Sequence, residues 1–588
     1  MVRVVPDVAG FDKQFDYVVR AEANQDTASP MVQIGSLVKV RLAGRQVEGW
    51  IVDVDVPALD GVALKDVEAV VSFGPSTELV ALAQWAAHRW AGRWGAVLKS
   101  ASPPRRIKRL APQNPSTSGS RGEAPINSHW RTPGVTVVRT IVNDDQHALI
   151  AEIVAADNAL VLAPQNGVAQ RIAGALERAG RPVRTHPKEW EAAASRGGVV
   201  VGTRSAVWAR VPQLAVIVVV DEHDEALQEE RNPTWHARDV AIERAQRLGI
   251  PVVLLSPYPS LDALTVADRR LEPDRDHERQ SWPIVEVIDQ RDTEPGRSGL
   301  FSSRAIDVLR TSRRALAILN RKGRAVMLAC AACGTLVVAE KSGRLMIERD
   351  GMLVCPSTGE TRPVVCAACR ATKMKRLRLG VGRAVEELSA MLGEEVGEIT
   401  ADAKPGTASH RVSIGTEAAL YRMAGVHDVV FLDFDQELGA HRFRAVDQAM
   451  SLMVKAARLV GPRSEGGRVV IQTRQPDHRL LTAVVRSNPK KLLTEERSLR
   501  EALNLPPFVA LAEVSGANVD RLAQSLQAIT EERNDPDLAV MGPRDDGHYL
   551  VRASSSELLA DALAEGSRRM AAERVPRRWR VVVNPQRA

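Results

Sequence analysis

Cysteine is scarce in this sequence of 588 residues, which contains only five. A chain of this length with so few cysteines cannot depend on a disulfide framework, so its stability must come from hydrophobic cores. Long apolar runs are lacking as well, since runs such as Leu214–Val220 are far shorter than the roughly 20 residues that a membrane-spanning helix needs. The amino terminus has no charged and then apolar leader. We therefore expect a cytoplasmic protein with no membrane partner.

The composition is that of an ordinary globular protein. Hydrophobic residues make up 44% of the chain and charged residues 26%, which excludes wholesale disorder and a fibrous repeat. A length of 588 residues predicts several domains and excludes a single small binding module. Lysine and arginine (79) exceed aspartate and glutamate (72) by 7, and this excess favours a polyanionic partner such as nucleic acid.

Hydrophobic patterning divides the chain into seven segments. The pattern is β-rich at the start, then rich in proline, serine and arginine, which predicts a linker that cannot fold. Two regions of short Val/Ile/Leu runs alternate with helices and predict α/β domains with parallel sheets, the second of them interrupted by a cysteine-containing insertion. A small α+β domain follows. The predicted segments are the β-rich domain 1–101, the linker 102–134, the first α/β domain 135–300, the second α/β domain 301–328 and 373–488, the insertion 329–372 and the last domain 489–588.

Four of the cysteines form two C-x-x-C pairs, Cys330 with Cys333 and Cys366 with Cys369. Each pair has the spacing that lets two thiolates bind one ion, and four thiolates make a closed tetrahedral zinc site of the structural type. The alternative is two unrelated pairs of reduced cysteines. We assign no metal to the fifth, Cys355.

Three motifs stand in the first α/β domain, Gly202–Ala206, Asp221–Asp224 and Trp235–Asp239, and the motifs Ile414–Glu417, Phe443–Ala445 and Leu505–Phe508 follow them along the chain. The first three resemble the first helicase lobe of the primosomal protein N′ (PriA) family of replication-restart DNA helicases, and the others follow in that family's order. The resemblance implies a multidomain α/β protein with two tandem RecA-like helicase lobes, here degenerate. It also implies an N-terminal β-rich DNA-binding domain, a zinc-binding insertion and a C-terminal α+β domain.

The resemblance also implies DNA-binding residues. Phe15, Asp16, Tyr17 and Gly35 match the domain that captures the 3′ end of a nascent DNA strand, in which the aromatic rings stack a terminal base and the carboxylate accepts a hydrogen bond. Core packing of a β domain is the alternative role for the two rings. Three arginines are expected to neutralise DNA phosphates: Arg204, Arg238 and Arg444.

The departures from the family fall on the residues that bind and hydrolyse ATP. The chain has no G-x-x-x-x-G-K-[ST] loop, and Thr140–Leu149, which occupies that place, contains no glycine and two adjacent aspartates. Val220 stands where the family has the first carboxylate of the D-E-x-H box. Only Asp221, Glu222 and His223 remain as a degenerate nucleotide site, and a strand shift of one residue would be needed for them to hold magnesium.

Further departures concern coupling and transition-state stabilisation. Tyr258 replaces the hydroxyl that links nucleotide state to DNA, and Leu459 and Pro462 replace the two arginines of the arginine-finger motif. In the end-capture domain, Glu68 stands where the family has a lysine. We expect no catalytic residues, no use of ATP and one zinc ion, because the family's second set of four cysteines is reduced here to Cys355.

Three functions fit these features. The first is a replication-restart protein that recognises stalled or abandoned forks and promotes primosome assembly and reloading of the replicative helicase without unwinding DNA. Its partners would be forked, branched and single-stranded DNA together with other primosome and helicase-loading proteins, and it would act as a monomer. The second is a residual DNA-dependent ATPase and 3′-5′ helicase. The third is a zinc-ribbon scaffold in DNA repair or transcription.

Overall fold

A computed structural model of this protein divides the chain into two compact units, which are described separately. Unit 1 comprises Met1–Glu278, His441–Ser451 and Asn488–Ala588, and unit 2 comprises Arg279–Ala440 and Leu452–Ser487. The residues that the structure describes are 1–8, 13–20, 32–57, 64–110, 130–155, 158–291, 300–319, 327–333, 335, 337, 339–340, 346–349, 351–355, 360–377, 381–399, 409–440, 442–544 and 546–586. In this part of the chain, no helix has the length and apolar character that crossing a membrane requires.

Unit 1 begins with a five-stranded antiparallel sheet and two helices. These elements are β1 (Val2–Pro6), β2 (Phe15–Tyr17), β3 (Leu37–Leu42), β4 (Arg45–Val54), β5 (Val67–Ser72), α1 (Thr77–Arg89) and α2 (Trp94–Ala101). The strand order is β2-β1-β4-β3-β5, and a parallel bridge between Val18 and Asp66 joins the two edges into a small barrel. Alternation explains the pattern of β3, because Val38 and Val40 are buried in the barrel whereas the intervening side chains face outward.

The predicted linker is packed against the protein at both of its described ends. Ile107 is buried with Trp190, its backbone N–H donates to Ser72 Oγ (2.9 Å), and its carbonyl accepts from the Phe73 N–H. At the other end, Trp130 lies in a hydrophobic core of the α/β domain that follows. We expected all of 102–134 to remain unfolded; these two apolar residues correct that expectation for 102–110 and 130–134, because each finds a core to enter. Residues 111–129 lie outside the described part of the chain.

The first α/β domain contains a seven-stranded parallel sheet in the order β12-β6-β11-β10-β7-β9-β8. Its central strands are apolar on both faces because helices cover both, as the uninterrupted Val/Ile/Leu runs predicted. The elements are β6 (Gly134–Arg139), α3 (Gln146–Val154), β7 (Ala159–Leu162), α4 (Asn166–Arg178), β8 (Val183–Thr185), α5 (Trp190–Arg196), β9 (Val199–Gly202), β10 (Val216–Val220), α6 (Ala237–Leu248), β11 (Pro251–Ser256), α7 (Leu261–Thr265), β12 (Arg269–Leu271) and α8 (Arg275–Ser281).

The second α/β domain contains a six-stranded parallel sheet in the order β13-β23-β22-β14-β21-β20. We placed Ile284–Asp289 in the first domain, but this strand pairs with Arg468–Thr473, so the second domain begins before residue 301. The elements of this part of the chain are β13 (Ile284–Asp289), α9 (Ser303–Thr311), β14 (Ala315–Ile318), β15 (Met327–Cys330), β16 (Ile347–Arg349), β17 (Met352–Val354), β18 (Thr361–Pro363), β19 (Met374–Leu377), α10 (Val381–Leu392), β20 (Gly397–Ile399), β21 (Val412–Gly415), α11 (Ala419–Arg422), β22 (Asp428–Phe431), α12 (Asp435–Leu438), α13 (Ala445–Val460), β23 (Arg468–Thr473) and α14 (Arg479–Val485).

The described residues in and beside the cysteine insertion form two small antiparallel sheets. One pairs β15 with β19 and the other has the order β16-β17-β18. Cys355 is fully buried there, in an apolar cluster with Met346 and Leu353.

The last hundred residues form an α+β domain with the connectivity β-α-β-β-α-β. Its antiparallel sheet has the order β25-β26-β24-β27, which is the ferredoxin-like arrangement. The elements are α15 (Pro489–Ala502), β24 (Ala510–Gly516), α16 (Val519–Arg533), β25 (Leu538–Met541), β26 (Tyr549–Ala553), α17 (Ser556–Ala572) and β27 (Trp579–Val583). The predicted multidomain α/β architecture, with a β-rich start, an insertion in the second α/β domain and an α+β end, is confirmed.

Candidate functional site

Three of the residues predicted to capture a DNA end lie on β2 of the barrel. Phe15 and Tyr17 share one face of this strand, and Asp16 points to the other. Tyr17 belongs to the buried core of the barrel, and Phe15 is partly buried against that core. The Tyr17 hydroxyl donates to the carbonyl of Arg41 (3.3 Å), and burial raises the pKa of the phenol. Core packing therefore accounts for Tyr17, while the ring of Phe15 keeps part of its surface in solvent.

Asp16 forms a bidentate ion pair with Arg3 on the neighbouring strand. Arg3 Nε and Nη2 donate to the two carboxylate oxygens at 2.9 and 3.3 Å. The hydrogen bond to Asp16 raises the pKa of Arg3, and the charge of the carboxylate adds to this effect. Each carboxylate oxygen can accept more than one hydrogen bond, so Asp16 retains acceptor sites beside the guanidinium.

Gly35 occupies a turn before β3 that admits only glycine. Its φ is +89°, and an added Cβ would lie 1.8 Å from the carbonyl oxygen of Pro75. The Gly35 N–H donates to the carbonyl of Ile51 (2.7 Å), which holds this turn against β4. The residue therefore has a structural reason to be glycine that is independent of any DNA contact.

Glu68 neutralises a cation of the barrel surface. Its carboxylate accepts from Arg41 Nε (2.6 Å) and from the side-chain amide of Gln46. The pKa of Glu68 is lowered most by the hydrogen bond from Gln46 and next by the hydrogen bond from Arg41. A lysine at this position would add a positive charge beside Arg41, whereas the glutamate removes one.

The turn after β6 leads to the amino terminus of α3, and helix amino termini are places where proteins can bind phosphate. In this chain α3 begins at Gln146, and the carboxylate of its N-cap residue Asp145 accepts from the His147 N–H (2.9 Å). Although burial acts in the opposite direction, hydrogen bonds from the backbone of His147 and Ala148 lower the pKa of Asp145. A protein carboxylate thus caps the positive end of this helix, which is the kind of position that favours an anion.

Glu222 follows the buried strand β10 and is itself fully buried. Its carboxylate accepts from the backbone N–H and hydroxyl of Ser260 (2.6 and 2.8 Å) and from Arg238 Nη1 (3.2 Å). Its two neighbours are also partly or fully enclosed, since Asp221 is buried with a φ of +49° and His223 Nδ1 lies 2.7 Å from Ser256 Oγ. The three residues of the predicted degenerate nucleotide site thus lie within the packed loops at the carboxyl ends of β10 and β11.

Arg238 is the centre of a buried charge cluster. Besides Glu222, it contacts Asp239 (2.8 Å) and Asp262 (3.8 Å). Although burial disfavours the charged guanidinium, Asp239, Asp262 and Glu222 together raise the pKa of Arg238 above its ordinary value.

Arg444 joins the same cluster from a distant part of the chain. It forms a bidentate pair with Asp262 (2.7 and 3.0 Å) and donates to Asn584 Oδ1 (2.8 Å). Burial would raise the pKa of Asp262, but Arg444 and Arg238 hold it well below its usual range. We expected Arg238 and Arg444 to contact DNA phosphates; both guanidinium groups are instead buried in internal ion pairs, so their geometry does not support that contact.

Arg204 is the most accessible of the three predicted phosphate contacts. Its Nε lies 3.3 Å from Glu229, its Nη1 donates to the carbonyl of Ala226, and about a third (31%) of its side chain remains exposed. Sequence analysis did not single out Ser260, Asp262 and Asn584. Ser260 could have been found in the sequence only as the residue that caps α7. Nothing in the nearby sequence marks Asp262, because its partner Arg444 lies 182 residues away.

The four predicted metal ligands converge in the insertion. All four sulfur atoms lie within 4.8 Å of one another, with Cys330 Sγ 3.4 Å from Cys369 Sγ and Cys333 Sγ 3.6 Å from Cys366 Sγ. Tetrahedral zinc with Zn–S bonds of about 2.3 Å separates its sulfur ligands by about 3.8 Å. The arrangement therefore fits one metal ion held by four thiolates.

Comparison with known proteins relates the barrel and the two helices after it to a family of DNA-binding domains, and relates most of the chain to curated proteins. Residues 3–103 match a family described as the PriA 3′ DNA-binding domain. The chain is 26% identical to the replication restart protein PriA of Haemophilus influenzae, over 58% of this chain and 51% of that protein. It is 27% identical to the probable replication restart protein PriA of Mycobacterium tuberculosis, over 92% of this chain and 90% of that protein.

The alignment is uneven among these relatives. The chain spans about half the length of the Haemophilus influenzae protein and of the Bacillus subtilis replication restart protein PriA, to which it is 25% identical over 59% of its own length and 47% of the other's. Among solved structures, the DEAH/RHA helicase HrpB of Escherichia coli overlaps 74% of this chain and 48% of its own, with 12% identity and a TM-score of 0.34. A score this low carries no argument.

Proposed function

Because the chain is a relative of the PriA replication restart proteins, we propose that it recognises stalled or abandoned replication forks without unwinding DNA. In this role it binds forked, branched and single-stranded DNA in the cytoplasm, as a monomer. It then promotes primosome assembly and reloading of the replicative helicase by binding other primosome and helicase-loading proteins. The single observation that carries the proposal is the match of residues 3–103 to a 3′ DNA-binding domain.

The barrel supports a role in binding a DNA end. Phe15 presents part of its ring on the edge strand β2, and Asp16 on the other face has acceptor capacity beside Arg3. A partly exposed ring and a carboxylate are the groups that stack a base and accept from its edge or from a sugar hydroxyl. Tyr17 then supports Phe15 from within the core, and Gly35 shapes the adjoining turn against Pro75.

The turn before α3 supports the absence of motor activity. ATP hydrolysis requires backbone N–H groups, a lysine and a hydroxyl around the phosphates and magnesium. Asp145 places a carboxylate at the helix end that should attract the triphosphate, and its charge repels a second anion. Glu222 in turn is held by Ser260 and Arg238 rather than facing a metal-bound water.

The cysteine cluster supports one structural zinc ion per chain. Cys330, Cys333, Cys366 and Cys369 would hold it, and a closed four-thiolate site supplies folding energy rather than catalysis. The fifth cysteine, Cys355, is enclosed by apolar side chains and takes no part in this site.

Two alternatives remain candidates. A residual DNA-dependent ATPase and 3′-5′ helicase is favoured by the presence of two parallel α/β sheets. A zinc-ribbon scaffold in repair or transcription is favoured by the four converging thiolates alone and leaves both sheets without a role.

The test combines binding and turnover on one preparation. Binding of the full chain to a fluorescent fork is measured by anisotropy, and phosphate release is measured with the same fork present and absent. Glu222→Gln serves as the matched control for turnover, because it removes the carboxylate while retaining the size of the side chain. Recruitment is followed by adding the replicative helicase and its loading proteins and measuring unwinding of the fork.

The proposal predicts fork binding, no phosphate release above that of Glu222→Gln, and helicase-dependent unwinding that requires this chain. DNA-stimulated release that Glu222→Gln abolishes would instead establish the ATPase alternative. Failure to bind any fork would reject both the fork-recognition proposal and the ATPase alternative. The zinc-ribbon scaffold would then be the remaining candidate.

A further inference from the structure

Three segments that are distant in sequence meet on the surface of unit 1 and bring several arginines together. The first is the turn that joins α1 to α2 and contains Arg93; the second is the loop 228–236, which contains Arg231; the third is the segment 574–580 leading into β27. We call this surface the arginine ridge. Its arginines are Arg93, Arg231, Arg574, Arg577, Arg578 and Arg580.

Direct contacts hold the three segments to one another. Arg577 donates to the carbonyl of Ala91 in the turn, and Arg580 donates to the carbonyl of Glu230 in the loop (2.9 Å). The turn and the loop also touch, because a Cβ added to Gly92 would lie 2.3 Å from Pro233. The ridge is therefore a continuous surface with a fixed arrangement rather than three independent charged loops.

The charge of the ridge is only partly balanced by neighbouring acids. Arg231, Arg574, Arg577, Arg578 and Arg580 are exposed and Arg93 is half-buried. Within the described part of the chain, Arg93, Arg231, Arg574, Arg578 and Arg580 form no ion pair with a carboxylate.

The glutamates on these segments are Glu229 and Glu230, and Glu573 immediately precedes the third segment. Glu229 and Glu573 already bind arginines that lie outside the ridge. Glu229 pairs with Arg204, and Glu573 pairs with Arg521 (2.8 Å). Glu230 is exposed beside Arg231. The ridge therefore carries a net positive charge.

We propose that the arginine ridge binds the phosphate backbone of duplex DNA, so that the chain holds the double-stranded part of a fork at a place separate from the barrel. This inference rests on the proposed function, since it assumes that the chain binds forks. Guanidinium groups suit this role because they pair with phosphate oxygens and remain charged at every physiological pH. The surface fits a duplex backbone rather than unpaired bases because the aromatic rings of these segments, Trp90, Trp235 and Trp579, are buried and cannot stack bases.

The experiment measures affinity for a duplex closed at both ends by hairpin loops, which has no free 3′ end for the barrel to bind. The ridge variant replaces Arg231, Arg578 and Arg580 with Gln. A matched control makes the same charge change elsewhere in unit 1, at the exposed Arg270, Arg533 and Arg568. A second ridge variant carries Lys at the same three positions, which keeps the charge and tests whether the fold tolerates substitution.

Each phosphate contact contributes about 0.9 to the slope of log affinity against log salt, so the Gln ridge variant should lower this slope by about 2.7. Between about 50 and 200 mM salt, the wild-type chain should then lose roughly 40-fold more affinity than the variant. The control and the Lys variant should keep most of the wild-type slope.

The other outcomes separate this inference from the proposed function. Equal slopes for the ridge variant and wild type, or an equal loss in the control, overturn the ridge. The ridge is also overturned if the wild type binds an open fork but does not bind the closed duplex. In that case the proposed function still stands. An equal loss on a single strand of 20 nucleotides overturns the duplex assignment. If wild type binds neither DNA, the proposed function fails and the ridge fails with it.

Discussion

Replacing Arg444 by Gln should destabilise unit 1 without changing the salt dependence of DNA binding. In the wild type, Arg444 donates two short hydrogen bonds to Asp262, and both side chains are at least nine-tenths buried. Removing one partner of a buried ion pair costs about 3–5 kcal/mol, because the remaining charge is left unpaired. Arg238, 3.8 Å from Asp262, retains part of the compensation, so we expect about 3 kcal/mol, at the lower end of that range.

The assay must be local, because a chain with two compact units is not expected to unfold in one step. Hydrogen exchange of the backbone amides of α7, which contains Asp262, reports on the environment of the pair. A loss of about 3 kcal/mol corresponds to exchange on the order of 100-fold faster if these amides exchange through an opening that separates the pair. Asp262→Asn is the matched control, since it removes the other partner and should abolish the effect of the Arg444 substitution in the double variant.

The pH dependence of the stability lost in Asp262→Asn gives a second check, because its direction can be predicted. Asp262 has a pKa well below the ordinary carboxylate range in the folded state. Its contribution to stability is therefore present above the pKa of the unfolded carboxyl and is lost as pH falls through the folded pKa. The difference in unfolding free energy between wild type and Asp262→Asn should be constant from neutral pH down to about 5. It should shrink below about pH 4.

Unchanged exchange in α7 together with a salt slope shallower by about 0.9 would refute this reasoning. That combination would mean that Arg444 leaves the cluster and contacts phosphate, as the sequence alone suggested.

Three further predictions follow from the geometry. Cys366→Ser should reduce the metal content from one zinc ion per chain to none by elemental analysis, and two ions in the wild type would contradict the single site. Gly35→Ala should lower the melting temperature of the barrel well beyond Gly44→Ala, since both positions have positive φ but only Gly35 faces a backbone atom, Pro75 O, at 1.8 Å. Equal melting temperatures would show that this turn relaxes freely. Glu222→Gln should accelerate amide exchange around Ser260, because the amide cannot match the charged hydrogen bonds of the carboxylate; unaltered exchange would argue against the buried network.

The predicted degenerate nucleotide site shows what local sequence patterns and tertiary packing each contribute to an interpretation. The missing glycines and the paired aspartates before α3 were visible in Thr140–Leu149. That Asp145 caps this helix depends on where α3 begins. The role of Glu222 as an acceptor for Ser260 follows only from the meeting of two loops.

The amino-acid sequence alone determined the features that depend on near neighbours along the chain. Runs such as Val216–Val220 predict buried parallel strands because every side chain in them is apolar, and the C-x-x-C pairs predict a shared ion because two residues set the distance between thiolates. The alternation of apolar and polar residues likewise predicted the β-rich start, and alternation together with helical periodicity predicted the α+β end.

Only the tertiary structure decided which charged residues face water. Arg204, Arg238 and Arg444 look alike in sequence, yet one is partly exposed and two are buried, because Asp262 is brought to Arg444 across 182 residues. The assignment of Ile284–Asp289 to the second sheet has the same origin. So do the contacts of Arg577 with Ala91 and of Arg580 with Glu230. An arginine is stable both in water and in a buried ion pair, so its own residue type cannot determine its place; that depends on the partner that folding brings to it.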